Sequence, residues 1–217
     1  MKITFYSFLI LIIVIISVSC KPSDLEIEIY TSDIESASEG EVAEVPVKVK
    51  LNLRGKDKKN ELPKAKKIVQ KYLPSDSKIE IIKGKYGQVM AIESEIPLGT
   101  NSSLKKYLKK NKRLVMIVYD KGTLTLKPTG ALKKLDKELS SLNFMLGAEL
   151  PAADTTFRIV SDSKKKVNIS ATAVYLENKP YLHFAKDLKK RKSVEIVFSG
   201  GSGSVYKTIS PHVIVKF

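Results

Sequence analysis

His183 and His212 are the only histidines in this 217-residue chain, and each lies in a run of alternating apolar and polar residues. Imidazole can act as a general base or a metal ligand. Zinc, however, needs three or four His, Cys or carboxylate groups converging on one point. No such spacing surrounds either histidine, so both read as ordinary strand residues and no metal site is predicted. Glu26/Glu28 and Glu93/Glu95 are carboxylates two apart, which places each pair on one face of a strand. Acid–base work needs surroundings that drive paired pKa values apart. Alternation with Ile and Leu instead puts these pairs on a wet face. The stretch Ser199 to Ser204 (SGGSGS) has the composition of a phosphate loop. It lacks the terminal Gly-Lys-Ser/Thr and a following helix, and reads as a hairpin loop. No catalytic residue and no cofactor site are predicted, which leaves Cys20 as the remaining reactive side chain.

Residues 1–20 read MKITFYSFLILIIVIISVSC. One cation, an apolar run and then small residues are the parts of a secretory signal. As a transmembrane anchor the stretch sits at the short limit of the roughly 17–25 residues that span a bilayer. As a plain cleaved signal it would leave Cys20 near the new N-terminus by accident. The end of the segment, Ser17-Val18-Ser19-Cys20, resembles the lipobox of bacterial lipoproteins, with Ser17 where a Leu is commoner. That resemblance implies cleavage between Ser19 and Cys20 and fatty acyl groups such as palmitate on Cys20. It also implies residence in the cell envelope. Lys21, standing where an inner-membrane retention Asp would stand, points to the outer membrane if the cell has two. The mature chain would then hold no free thiol, and residues 20–24 would be its lipidated tether.

The net charge is +15, but of 38 Lys and Arg only Arg54, Arg113, Arg158 and Arg191 are arginine. Readers of phosphate and base edges favour the bidentate arginine fork, so nucleic acid is not the predicted partner. Lysines beside an anionic lipid surface are attractive. The exposed candidates for a polyanion-contact face are Lys64, Lys67 and Lys71 on one predicted helix and Lys105, Lys106, Lys109 and Lys110 on another. The partners open to such a chain are the membrane itself through Cys20, anionic lipid, or an envelope protein.

Three helices are predicted from apolar spacing of three and four: 62–73, 101–112 and 130–145. A capping pattern at Thr31 or Ser32 with Glu35 marks a further short one ending at Gly40. Strands are predicted at 25–30, 41–53, 77–83, 88–97, 113–119 and 123–127, with a tight turn over 120–122. Pro46 has no N–H to donate and belongs at an edge or bulge. After a candidate boundary at 147–154 the chain is nearly all strand. The terminal PHVIVKF resembles the closing signal of outer-membrane barrels, yet the helices and lysines favour a terminal core strand. The expected fold is therefore α+β. An antiparallel sheet is covered by three amphipathic helices (24–148), and a β-rich region follows (152–217), the two open to being one domain. The expected role is a non-catalytic envelope binding or interaction module. The alternatives are a cationic adhesin or phage-exclusion type of surface lipoprotein, and an envelope hydrolase, which would need a hydroxyl or carboxylate beside His183 or His212.

Overall fold

A computed structural model describes residues 22–54, 61–84, 87–142, 154–163, 165–199 and 211–217. Cys20 and Ser19, the candidate boundary at 147–153 and the glycine-rich loop from 200 lie outside them. So does most of the charged 54–60 connection. The first half of the chain runs β1 (Pro22–Tyr30), α1 (Thr31–Ser38), β2 (Val42–Arg54), α2 (Glu61–Gln70), β3 (Lys78–Gly84), β4 (Gly87–Gly99) and α3 (Asn101–Leu108). It continues with β5 (Val115–Asp120), β6 (Thr123–Pro128) and α4 (Gly130–Leu142). The rest is strand: β7 (Asp154–Val160), β8 (Val167–Leu176), β9 (Lys179–Leu188), β10 (Ser193–Phe198) and β11 (His212–Lys216).

Hydrogen bonding orders the strands β10-β7-β1-β2-β4-β5-β6-β11-β8, and β8 meets β10 again at Tyr175↔Val197. Nine strands thus close a barrel. β8 bends on the way at Ala173, where φ is +54°. β3 and β9 lie outside the circle, paired to β4 and β8. Alternation decides which side faces in. Leu25, Ile27 and Ile29 of β1 join Phe157 and Ile159 of β7 and Val213 and Val215 of β11 in one core, each at most 1% exposed. The intervening Glu26, Lys48 and Lys50 face water, and Lys50 reaches Asp24 at 3.5 Å and Glu26 at 3.6 Å. Apolar inside and charged outside is the reverse of a membrane-spanning barrel. No helix among the described residues is long and apolar enough to cross a membrane.

The expected antiparallel sheet under three helices is overturned. The helices are 8 to 13 residues long, and α3 buries only Leu104. They cannot cover so much strand. The sheet instead curls so that its own strands fill the face the helices were expected to cover. β7, from the far half of the chain, pairs parallel with β1 from Asp24↔Asp154 to Tyr30↔Val160, and β4 and β5 are parallel too. Strands from both predicted regions lie in this single sheet.

Local chemistry shapes the junctions. The β1–β2 ladder stops at Ile27↔Val47, and Pro46, with no N–H to offer, lies just beyond it. Lys121 and Gly122 both have positive φ, the turn that matches the twist of a two-residue hairpin. A Cβ on Gly122 would stand 2.8 Å from the Val215 carbonyl, and the Gly122 carbonyl accepts the Val215 N–H at 2.7 Å. Each end of the barrel is plugged. At one end α1 inserts Ile34 and Ala37 into the barrel core. Its first turn is held by Asp162, which accepts from Thr31 Oγ1 at 2.8 Å and Ser32 N at 3.0 Å. At the other end β2 and β4 run past the circle, β4 pairs with β3, and this extension is covered by α2 and α4.

Candidate functional site

On α2, Ala65 and Val69 are four apart, and on α4 so are Leu135 and Leu139; all four are buried. They rest on Ile79 of β3 and Met90 and Ile92 of β4 as a second, smaller core. Val49, Leu114 and Leu132 are only partly buried and pack against both cores. All three line a cavity of about 70 Å³ at the seam. Leu25 and Val47 close it from the barrel side, Val69 and Leu135 from the helix side. The lining is almost wholly apolar, and its polar rim is Tyr72, Ser94, Glu95 and Arg113.

Each rim group except Arg113 has its polar atoms engaged elsewhere or open to water. Ser94 shares a 2.8 Å hydrogen bond with Ser77. Tyr72 donates to Glu138, which also pairs with Lys71 at 3.4 Å. The phenol hydrogen bond, with Lys71 assisting against desolvation, holds the Glu138 carboxyl below its ordinary range. Glu95 is exposed. Arg113 differs: its side chain is only 12% exposed. Its Nη2 donates to both oxygens of Glu44 at 2.9 Å, and its Nη1 donates to the Lys112 carbonyl at 3.0 Å. Tyr107 donates to the same carboxylate from α3 and lies 5.5 Å beneath the guanidinium. Burial, and then the bond to Glu44, push the Tyr107 phenol up to about 12 against the pull of Arg113. Arg113 Nε is buried without a partner among the described residues. A buried donor left unmatched costs on the order of 1–3 kcal/mol. The cavity therefore has apolar walls, and Arg113 at its rim combines an ion pair that is already balanced with a buried, unmatched Nε. That arrangement can hold an apolar group carrying a hydrogen-bond acceptor.

The residues singled out from sequence fall elsewhere. His183 pairs opposite Thr172 on β9 and His212 opposite Thr125 on β11, strands separated by β8. Neither lines the cavity. Among the described residues no three His, Cys, Asp or Glu are grouped to hold a metal. The paired carboxylates sit on the outer face, Glu28 with Arg158 at 3.0 Å and Glu93 with Lys48 at 3.5 Å. Lys64, Lys67 and Lys71 are exposed on or just after α2; Lys105, Lys106, Lys109 and Lys110 are exposed on or just after α3. The structure does not bring these two sets together. Met90 packs with α2 and Gly99 against α3, nine residues apart on one strand, roughly 30 Å at ~3.3 Å per residue. The Arg113–Glu44–Tyr107 cluster was missed. The signal that could have marked it is the rarity of arginine in so lysine-rich a chain.

The model of one protein family, described as a domain of unknown function (DUF7424), matches residues 23–205. No curated protein and no solved structure matches.

Proposed function

The chain belongs to that family over most of its length, and from its own geometry we propose a non-catalytic binding module of the bacterial cell envelope. It is anchored through lipid on Cys20 and holds an apolar ligand in the seam cavity. The observation that carries the reading is an apolar void rimmed by Arg113, whose Nε is buried with no partner among the described residues. Protein interiors normally pack to the density of organic crystals, and unfilled space is destabilising. At about 70 Å³, with a rim that reaches the surface at Glu95, the void is well below the roughly 300–1,000 Å³ of a drug-sized site and has room for the end of a chain rather than for a whole ligand. Glu44 already balances the guanidinium. A neutral acceptor such as an ester carbonyl therefore suits Nε better than a second carboxylate, which would have to be desolvated beside Glu44. The ligand class is an acyl ester, its chain end in the cavity.

The test uses the full chain made in a lipoprotein-processing bacterium and purified in mild detergent. Extraction is expected to release a non-covalent acyl ester at near-equal molar amount. Leu132→Trp, which fills the void, should release little while unfolding at a similar temperature. A wild-type chain that yields no such lipid and takes up no fluorescent fatty ester overturns the ligand reading. The anchor is read separately. Labelled fatty acid should enter wild type and not Cys20→Ser, with the membrane fraction lost alongside the label. Membrane association that survives Cys20→Ser would favour an uncleaved apolar helix.

A further inference from the structure

The described chain begins at Pro22, and Pro22 pairs with Leu51, so β1 enters the sheet at the helix-covered end. One residue, Lys21, separates Pro22 from Cys20, two Cα steps in all. At no more than ~3.6 Å per residue, the acylated residue lies within about 7 Å of that end of the sheet. A tether so short gives the barrel little freedom to turn away from the bilayer.

The same end carries an uneven charge. Lys64, Lys67 and Lys71 of the α2 segment and Lys133, Lys134 and Lys137 of α4 are all exposed. The acids on these two helices are Glu61, Asp136 and Glu138, and Glu138 is committed to Lys71 and Tyr72. Attraction to charged lipid fades over about 10 Å at ordinary ionic strength. Only lysines at the tethered end can feel it; those of α3 are roughly 30 Å further along β4 by its ~3.3 Å rise per residue. We infer that the outer face of α2 and α4 is a membrane-contact surface that seats on anionic phospholipid headgroups. The barrel then stands upright with α1 and α3 away from the bilayer. This rests on the anchor at Cys20 proposed above.

The test uses the full acylated chain in vesicles of phosphatidylglycerol and phosphatidylethanolamine. A fluorophore is placed on single cysteines at Lys67→Cys, Lys134→Cys or Lys105→Cys and quenched by headgroup spin-labelled lipid. Quenching at 67 and 134 is expected to exceed that at 105 by at least about threefold, because 105 stands roughly 30 Å further along β4 by its ~3.3 Å rise per residue. It should fall when phosphatidylcholine replaces the anionic lipid. Lys64→Glu with Lys133→Glu and Lys137→Glu should abolish the difference, whereas Lys105→Glu with Lys106→Glu and Lys109→Glu should leave it unchanged. Equal quenching at all three positions, or loss from both charge reversals alike, overturns the orientation. The mass of the same sample reports acylation, so a chain without acyl groups counts against the anchor rather than the lysine face.

Discussion

The nine-strand circle and the helix-covered extension share two strands, β2 and β4, yet they are held together by different means. In the circle, hydrogen bonding continues from strand to strand until it returns to its start, and 25 buried residues form one core with α1. In the extension the sheet ends at β3, and seven buried residues from two helices and two strands form the second core. Closure removes edges and lets every inward side chain meet others across the interior. An open three-strand sheet must borrow its cover, and the described parts of α2 and α4 do not fill the seam fully. The space left over is the cavity. Tight packing and an unfilled cavity thus occupy the same two strands, one ladder apart.

The largest effect expected from breaking this contrast is Phe157→Ala. Phe157 is fully buried on β7 and meets Phe198 edge-to-face at 5.8 Å. Removing a buried phenyl from a core that cannot collapse costs about 3–5 kcal/mol. Urea unfolding followed by circular dichroism should show the whole chain losing stability together. Leu139→Ala in the smaller core should cost less, about 2–3 kcal/mol, and act locally. Amide hydrogen exchange should rise in α2, α4 and β3 while β1 and β7 stay protected, as expected of a unit that opens alone. Equal exchange in both regions would show that the two cores are one cooperative block.

A middle-sized effect is expected at the seam. Glu44→Gln keeps the shape of the side chain but leaves the guanidinium of Arg113, at 12% exposure, without its counter-charge. The expected loss is about 1–3 kcal/mol, below the full cost of splitting a deeply buried pair because Glu44 is 30% exposed. Ligand retention should fall more steeply than thermal stability, since Arg113 forms the cavity rim. A variant that keeps its ligand at wild-type occupancy would separate the ion pair from the site.

What could be read from the sequence was the local part. The helices expected at 62–73, 101–112 and 130–145 appear as α2, α3 and α4, the first two with slightly earlier ends, because apolar spacing is written along each segment. The turn expected over 120–122 is there for the same reason. Closure was not readable. The β1–β7 ladder joins residues about 130 positions apart, and the last link is a single pair, Tyr175↔Val197. Neither leaves a pattern in any short window, and a strand that lines a barrel alternates just as one beneath a helix does. The basic face shows the same limit. The lysines of α2 and α3 have similar spacing on their own helices, and only the β2–β4 ladder reveals that they stand at different ends of the molecule. Arg113 was visible as a rare residue, but Glu44 and Tyr107 reach it only through tertiary pairing.

The smallest effect sharpens the contrast most finely, because it reads the seam without disturbing either core. Tyr107 is half-buried and donates to Glu44, and its phenol is pushed up to about 12 from an ordinary 10.0 by burial and by that bond. The chain has nine tyrosines, and Tyr30 and Tyr72 are also raised. The measurement must therefore be the ultraviolet difference between wild type and Tyr107→Phe as pH rises. That difference should titrate near 12 rather than near 10. A folded pKa above the unfolded one means the protonated phenol favours the folded chain. Its contribution is fully present below pH 10 and disappears as pH climbs from 10 towards 12. Wild type should lose its advantage over Tyr107→Phe across that window, an advantage of about 1 kcal/mol at neutral pH for one such hydrogen bond. A difference spectrum that titrates at the ordinary value would mean that the phenol is not held by Glu44. The link from α3 to the cavity rim would then rest on Arg113 alone.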